Sequence, residues 1–272
     1  MTTTASGDTA PSPAYFLDNG SDQAPGSLHA LAGTLDGITF SWLESLVGPG
    51  EDCVELGPGA GTLTMWLARQ VGPTGSVLAL DLDPRHVPAH PRVTARVHDL
   101  TREPLPAQPA HHYIARLVLA HLTNRRELLV QARQRQRHGG RFTTIDWGRE
   151  PAKLIASAVV GARETFDDYQ SALRKVLAGT GNDGTFAENA VHHMIDAGFD
   201  EVEQHRWSTT WNGGSAATDL VTAVSIEKAV DLAAHGFGPD QLARLHLVMA
   251  DPDTSIIGNL TYCTTGRVRA AS

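Results

Sequence analysis

Residues 53–63 read Cys53-Val54-Glu55-Leu56-Gly57-Pro58-Gly59-Ala60-Gly61-Thr62-Leu63, and this stretch limits the fold most tightly. A short apolar run (Cys53, Val54, Leu56) ends in glycines at alternate positions, Gly57, Gly59 and Gly61. An amphipathic stretch follows at once, with Leu63, Trp66, Leu67 and Val71. The pattern predicts a buried strand, a tight glycine turn and a helix. Glycine in such a turn takes positive φ and, lacking Cβ, lets a ligand approach the backbone. The N–H groups at the new helix start favour an anionic or carboxylate-bearing ligand. A ligand is therefore expected at the carboxyl end of the first strand.

Spacing narrows the ligand. The dinucleotide fingerprint is G-x-G-x-x-G. Here the glycines run G-x-G-x-G, and Thr62 stands where the third dinucleotide glycine would be. Glu55 lies two residues before the first glycine, where dinucleotide folds usually carry an apolar residue. A carboxylate there suits a ligand with a positive group, or holds the turn by accepting N–H bonds. Both features count against an NAD-dependent oxidoreductase. The pattern E-x-G-x-G-x-G resembles motif I of the class I S-adenosylmethionine (SAM) dependent methyltransferases.

Acids recur at the following strand ends. The second strand, Ser76 to Asp81, ends about twenty residues past the glycines, where a ribose-binding carboxylate belongs. Asp83 is a second candidate for that role. The third strand, Val93 to Val97, leads into His98-Asp99-Leu100. The fourth runs near Tyr113 to Val118, and Asn124-x-x-Glu127 then reads as a capping box. The next helix is expected to end at Gly139-Gly140, before a fifth strand from Arg141 to Asp146.

Residues 15–147 resemble the bacterial small-molecule (natural-product type) methyltransferases. The residues that carry the likeness are Tyr15-Phe16-Leu17-Asp18-Asn19, the glycine motif, Asp81-Leu82-Asp83, Ala115-Arg116-Leu117-Val118-Leu119-Ala120-His121-Leu122 and Gly139-Gly140. The tail from Ala250-Asp251-Pro252-Asp253 to Gly266-Arg267 resembles that family's last hairpin. One departure is that Ala110-His111-His112 stands where the family usually opens strand 4 with an aromatic-acid pair. A shifted strand 4 would move Arg116 and His121.

The resemblance implies an α/β, Rossmann-like fold. Its sheet would be seven-stranded and mostly parallel, ordered 3-2-1-4-5-7-6 with strand 7 antiparallel, helices on both faces and a helical lid. On that frame the chain divides into a leader (1–13), cap helices (14–48), a SAM-binding core (49–150), a helical substrate-binding insert (151–198) and the remaining sheet with its helices (199–272). Phe40, Trp42, Leu43 and Val47 form the apolar face of the cap. Residues 201–211 and 255–268 each read as one strand, residues 216–249 as helical, and Gly179 to Gly184 as a flexible break.

The resemblance also implies roles. Glu55, Gly57, Gly59, Gly61, Asp81 and Leu82 would hold the donor, with Asp99 accepting from the adenine amino group and Leu100 beside the ring. Arg116 would hold the donor carboxylate, and Tyr15 would close over the methionine end. His121 is the candidate general base, because histidine titrates near neutrality. Asp146 is the alternative base or acceptor-orienting group. Trp147, Phe166 and Tyr169 are expected to line an acceptor pocket.

Composition bounds the function. The chain of 272 residues has a net charge of −8, which argues against a nucleic-acid partner. The basic run Arg133-Gln134-Arg135-Gln136-Arg137-His138 reads as a solvated helix end, where cations suit the dipole. Nothing resembles a membrane-spanning run, and the Thr/Ser/Ala/Pro-rich start lacks the features of a signal peptide. Cys53 and Cys263 fall in separate strands and imply reduced thiols in a cytoplasmic protein. No CxxC or H-E-x-x-H occurs, so no metal is expected. The reading is a SAM-dependent methyltransferase acting on a small organic acceptor, by O-, N- or C-methylation, with a homodimer expected. Its alternatives are methylation of a modified peptide and a SAM-bound rearrangement or cyclisation without transfer.

Overall fold

The structure is a computed structural model, and it describes residues 24–269. The leader and Tyr15 lie outside the described residues. In chain order the elements are α1 (Ala24–Leu43), β1 (Asp52–Leu56), α2 (Thr62–Gln70), β2 (Ser76–Asp81), β3 (Val93–Val97), β4 (Ala110–Arg116), α3 (Arg125–Arg135) and β5 (Gln136–Trp147). There follow β6 (Lys153–Ala156), α4 (Ala162–Gly179), α5 (Phe186–Asp196), β7 (Asp200–Trp207) and β8 (Thr210–Asn212). The chain closes with α6 (Ala216–Glu227), α7 (Ala229–Ala234), α8 (Pro239–Ala250), β9 (Ser255–Ile257) and β10 (Thr261–Arg267).

The main sheet has seven strands in the order β3-β2-β1-β4-β5-β10-β7. With the three short strands β6, β8 and β9 set aside, this is the expected 3-2-1-4-5-7-6. Strands β3 to β5 pair in parallel, and β10 runs antiparallel to both β5 and β7. β1 and β4 are buried on both faces because helices cover both sides. On one face Leu43, Leu63, Trp66 and Leu67 pack under α1 and α2, with Phe40 stacked on Trp66 at 5.1 Å. On the other, Leu128 and Leu129 of α3 and Phe186 and Met194 of α5 meet Tyr113 and Phe142.

Strand 4 is not shifted by the departure at its start. Cys53 pairs with His112 and Leu56 with Ala115, so Arg116 is the last residue of β4. His112 is buried and bonded through Nε2 to the Thr143 hydroxyl at 2.8 Å. Burial, aided by the Arg141 charge, holds its imidazole down at about 3, so a neutral histidine fills the core position.

Several local expectations are corrected. α3 ends at Arg135, and Gly139-Gly140 lies inside β5, where its backbone bonds to Val268. No capping box forms at α3; the Asn124 amide instead donates to the Leu100 carbonyl at 2.7 Å. The insert is not wholly helical, because it opens with β6. The 201–211 strand breaks into β7 and β8, and the 255–268 strand into β9 and β10. β6, β9 and β8 form a separate antiparallel sheet in which Leu154 and Trp211 both face Ile256. That sheet closes a second core with α4, α6 and α8, built on Phe166, Tyr169, Val221, Leu245 and Val248. This layer stands beside the carboxyl ends of β4 and β5, joined to the main sheet through Ala30 of α1 against Leu220 and Val224 of α6.

Candidate active site

The glycine turn is built for close approach. Gly57, Gly59 and Gly61 have φ of 68°, 53° and 72°. A Cβ at Gly57 would stand 2.4 Å from a Val118 methyl, and one at Gly61 would stand 2.9 Å from the Val87 backbone. Any other residue there would be both strained and obstructed. Below the turn Glu55 is buried and accepts from the Thr64 hydroxyl at 2.5 Å. Burial pushes its carboxyl up to about 7, against the Thr64 bond and the Arg116 charge.

Asp81, the ribose candidate, and Asp83, the second candidate, are separated by their partners. Asp81 accepts the Gly59 N–H at 3.3 Å and the Asp83 N–H at 3.0 Å, which puts its carboxylate against the glycine turn. Burial raises its carboxyl above the ordinary range, opposed by those backbone bonds. Asp83 turns away to an ion pair with Arg85 at 2.6 Å. Leu82 beside it is 56% exposed. Asp99 accepts from the Thr101 N–H and hydroxyl at 2.8 and 2.6 Å and faces Arg102 at 3.5 Å, while Leu100 is buried.

Arg116 leaves β4 toward α1. Its guanidinium pairs with Asp36 at 2.7 Å and reaches the Thr62 hydroxyl at 3.4 Å, and Thr62 also donates to Asp36 at 3.1 Å. α1, β4 and the start of α2 are thus tied at one point beside the glycine turn. Asp36 carried no sequence signal, being one polar residue on a helix. Leu117, the next residue, has φ 54°. A left-handed leucine costs on the order of 1–3 kcal/mol and is held only where its surroundings demand it.

A cavity of ≈ 320 Å³ opens past the carboxyl ends of β4 and β5, where Leu117 lines it. Its walls come from Leu31 of α1, Leu117 and His121 after β4, Asp146 and Trp147 of β5, Tyr169 and Leu173 of α4, Trp211, and Val221 of α6. Trp147 and Trp211 face each other at 6.4 Å. The sequence candidates His121, Asp146, Trp147 and Tyr169 therefore converge on one space. Phe166 does not. It lies fully buried behind Tyr169, at 6.4 Å, in the core under the cavity wall.

The two ionisable groups differ in kind. Asp146 is 1% exposed; one oxygen accepts the Thr144 hydroxyl, and Oδ1 is buried with no hydrogen-bond partner. Burial pushes its carboxyl up to about 7, opposed by bonds from Thr144 and the Ala120 N–H and by the Arg125 charge. Burial, with Arg125 adding to it, pushes His121 down to about 4. Near neutrality the histidine is therefore uncharged and the aspartate is poised to take or give a proton. Asn182, from the loop between α4 and α5, places its amide 3.1 Å from His121 Nδ1. Neither Asn182 nor Trp211 is marked as a site residue by the sequence pattern.

Residues 54–144 match the model of a methyltransferase domain family. Over that stretch the chain carries a methyltransferase domain. Solved structures agree on the fold. A putative methyltransferase from Bacillus halodurans is 13% identical, with a TM-score of 0.53 over 86% of this chain and 100% of that one. Phosphoethanolamine N-methyltransferase 2 of Haemonchus contortus, solved with phosphomonomethylethanolamine and S-adenosylhomocysteine, is 13% identical, with a TM-score of 0.56 over 94% of this chain and 59% of that one. A cyclopropane-fatty-acyl-phospholipid synthase-like protein from Lactobacillus casei is 17% identical, with a TM-score of 0.51 over 90% of each chain. No curated protein sequence matches the chain. At these identities the likeness is one of fold. The methyltransferase domain spans β1 to β5, so the glycine turn and His121 lie inside it. Asp146, Trp147 and the α4 to α6 walls of the cavity lie beyond it.

Proposed function

We propose that the protein methylates a small organic acceptor held in the cavity past the carboxyl ends of β4 and β5, at an oxygen or nitrogen that carries a proton. The observation that carries this reading is Asp146, a buried carboxylate with an unpartnered oxygen, at a tryptophan-walled cavity that His121 and Asn182 also line. Buried polar atoms are normally satisfied, so Oδ1 calls for a donor from the molecule that fills the cavity.

The residues around the glycine turn fit SAM. Asp81, held against the glycine turn, offers acceptors to ribose hydroxyls, and exposed Leu82 gives an apolar face for the adenine. Arg116 supplies a cation for the donor carboxylate. Asp99 and Leu100 border the adenine. When bound, SAM supplies an electrophilic methyl group on a sulfonium. The protein's part is to hold the acceptor in line with it, a positioning gain that can reach many powers of ten. Asp146 takes the acceptor's proton, which contributes roughly 10²–10⁴-fold. His121, uncharged, orients the acceptor. The insert, with α6, shields the site from water as a lid. We place the enzyme in the cytoplasm, in tailoring of secondary metabolites, as a homodimer. The net charge of −8 argues against a nucleic-acid partner.

The test is incubation with SAM and a panel of phenols, aliphatic alcohols and amines, read by mass spectrometry. A product heavier by one CH2, absent with Asp146→Asn, supports the reading. An isomerised product of unchanged mass favours the rearrangement or cyclisation instead.

A further inference from the structure

We propose that Arg125 is a positioning residue for the acceptor site: its forked guanidinium clasps the turn that carries His121 to the insert loop that carries Asn182. The proposal rests on reading the cavity as the acceptor site.

Arg125 opens α3 and stands behind the cavity wall. Its Nε donates to the Leu119 carbonyl at 2.9 Å and its Nη2 to the Ala120 carbonyl at 3.2 Å, on the turn 119–121. Its Nη1 meets Asp183 at 3.2 Å, in the loop between α4 and α5. That loop is bound to the same turn a second time, through the Asp183 N–H to the Ala120 carbonyl at 2.8 Å. The guanidinium also lies 5.8 Å from the Phe186 ring centre at the start of α5.

Each side of this clasp carries a cavity group. On the turn, His121 lines the cavity, and the Ala120 N–H acts on Asp146. On the loop, Asn182 lines the cavity and meets His121 at 3.1 Å. Asp183 also accepts from the Thr185 N–H and hydroxyl, at 3.0 and 2.8 Å, just before α5. A planar fork with several donors can satisfy two carbonyls and a carboxylate at once, which a lysine cannot. The clasp therefore fixes where the insert meets the methyltransferase domain, and with it the spacing of His121, Asn182 and Asp146.

The same cation acts electrostatically. The titratable groups within its field are His121, Asp146, Asp183 and His193. It opposes protonation of His121 and favours ionised Asp146, the charge states needed for a neutral orienting histidine and a proton-accepting aspartate.

The experiment compares the full chain with Arg125→Gln, Arg125→Lys and Asp183→Asn, all without acceptor. Hydrogen exchange is followed at 119–122 and 180–186, and the His121 ring titration by NMR, assigned with His121→Gln. In Arg125→Gln and Asp183→Asn, exchange in both segments should rise by about tenfold or more, as the loss of a charged hydrogen bond implies, while β10 stays protected. The His121 titration should move up in Arg125→Gln and stay low in Arg125→Lys, where exchange alone rises. Wild-type exchange in Asp183→Asn, or a rise spread evenly through the domain, would overturn the clasp. Both readouts are independent of turnover. Failure of the wild type to bind S-adenosylhomocysteine would count against the proposed function and leave this measurement intact.

Discussion

Asp146→Asn should cost activity and add stability, and the sign follows from burial. The wild-type carboxyl sits at about 7 when folded, against an ordinary 3.8. The folded state therefore binds more protons than the unfolded state between these values. Stability from this group is fully present below about pH 4 and is lost as pH rises through about 7. Three pH units correspond to an upper bound of about 4 kcal/mol. An asparagine keeps an acceptor for Thr144 and the Ala120 N–H, but leaves an amide donor where Oδ1 was unpartnered, at a cost of about 1–3 kcal/mol. The variant should accordingly exceed wild type by about 1–3 kcal/mol at pH 8 and match or trail it at pH 5. Glu55, also raised by burial, adds the same slope to both proteins and cancels in the difference. Urea denaturation at each pH, read as midpoint and slope, measures this. Equal destabilisation of the variant at pH 5 and pH 8 would refute the placement of Asp146 as a desolvated, ionisable group. Methyl transfer should meanwhile fall by roughly 10²–10⁴-fold.

Gly57→Ala should lose more than about 2 kcal/mol of stability, since it adds positive-φ strain to a clash with Val118; thermal melting checks this. Trp66→Ala removes a buried ring stacked on Phe40 and should cost about 3–5 kcal/mol in urea, with the S-adenosylhomocysteine affinity of the folded fraction kept. Asp83→Ala should leave cofactor affinity within about twofold in a calorimetric titration, because its carboxylate is turned to Arg85 and surface ion pairs contribute little.

What the sequence revealed was local. The strand, glycine turn and helix at 53–71 sit together in the chain, and alternating strands and helices admit few topologies. His121 and Asp146 were legible because the resemblance placed them at the ends of neighbouring strands. The small sheet was not, since β6 is four residues long and pairs with β9, far along the chain. Phe166 was misplaced by one helical turn. The α4 stripe is continuous in sequence, and only its later part, from Tyr169 to Ala178, reaches the cavity. Asp81 and Asp83 could not be told apart until Arg85 claimed one of them. Asp36, Arg125 and Asn182 are single polar residues whose partners lie in other elements, and no periodicity marks them.

The most direct test of the account is calorimetric titration of the wild type and Asp81→Ala with S-adenosylhomocysteine, with NAD as control. Micromolar binding to the wild type is expected, weakened at least about 100-fold in the variant as charge-assisted bonds to the ribose are lost, with no binding of NAD. Binding of NAD, or of neither ligand, would contradict it.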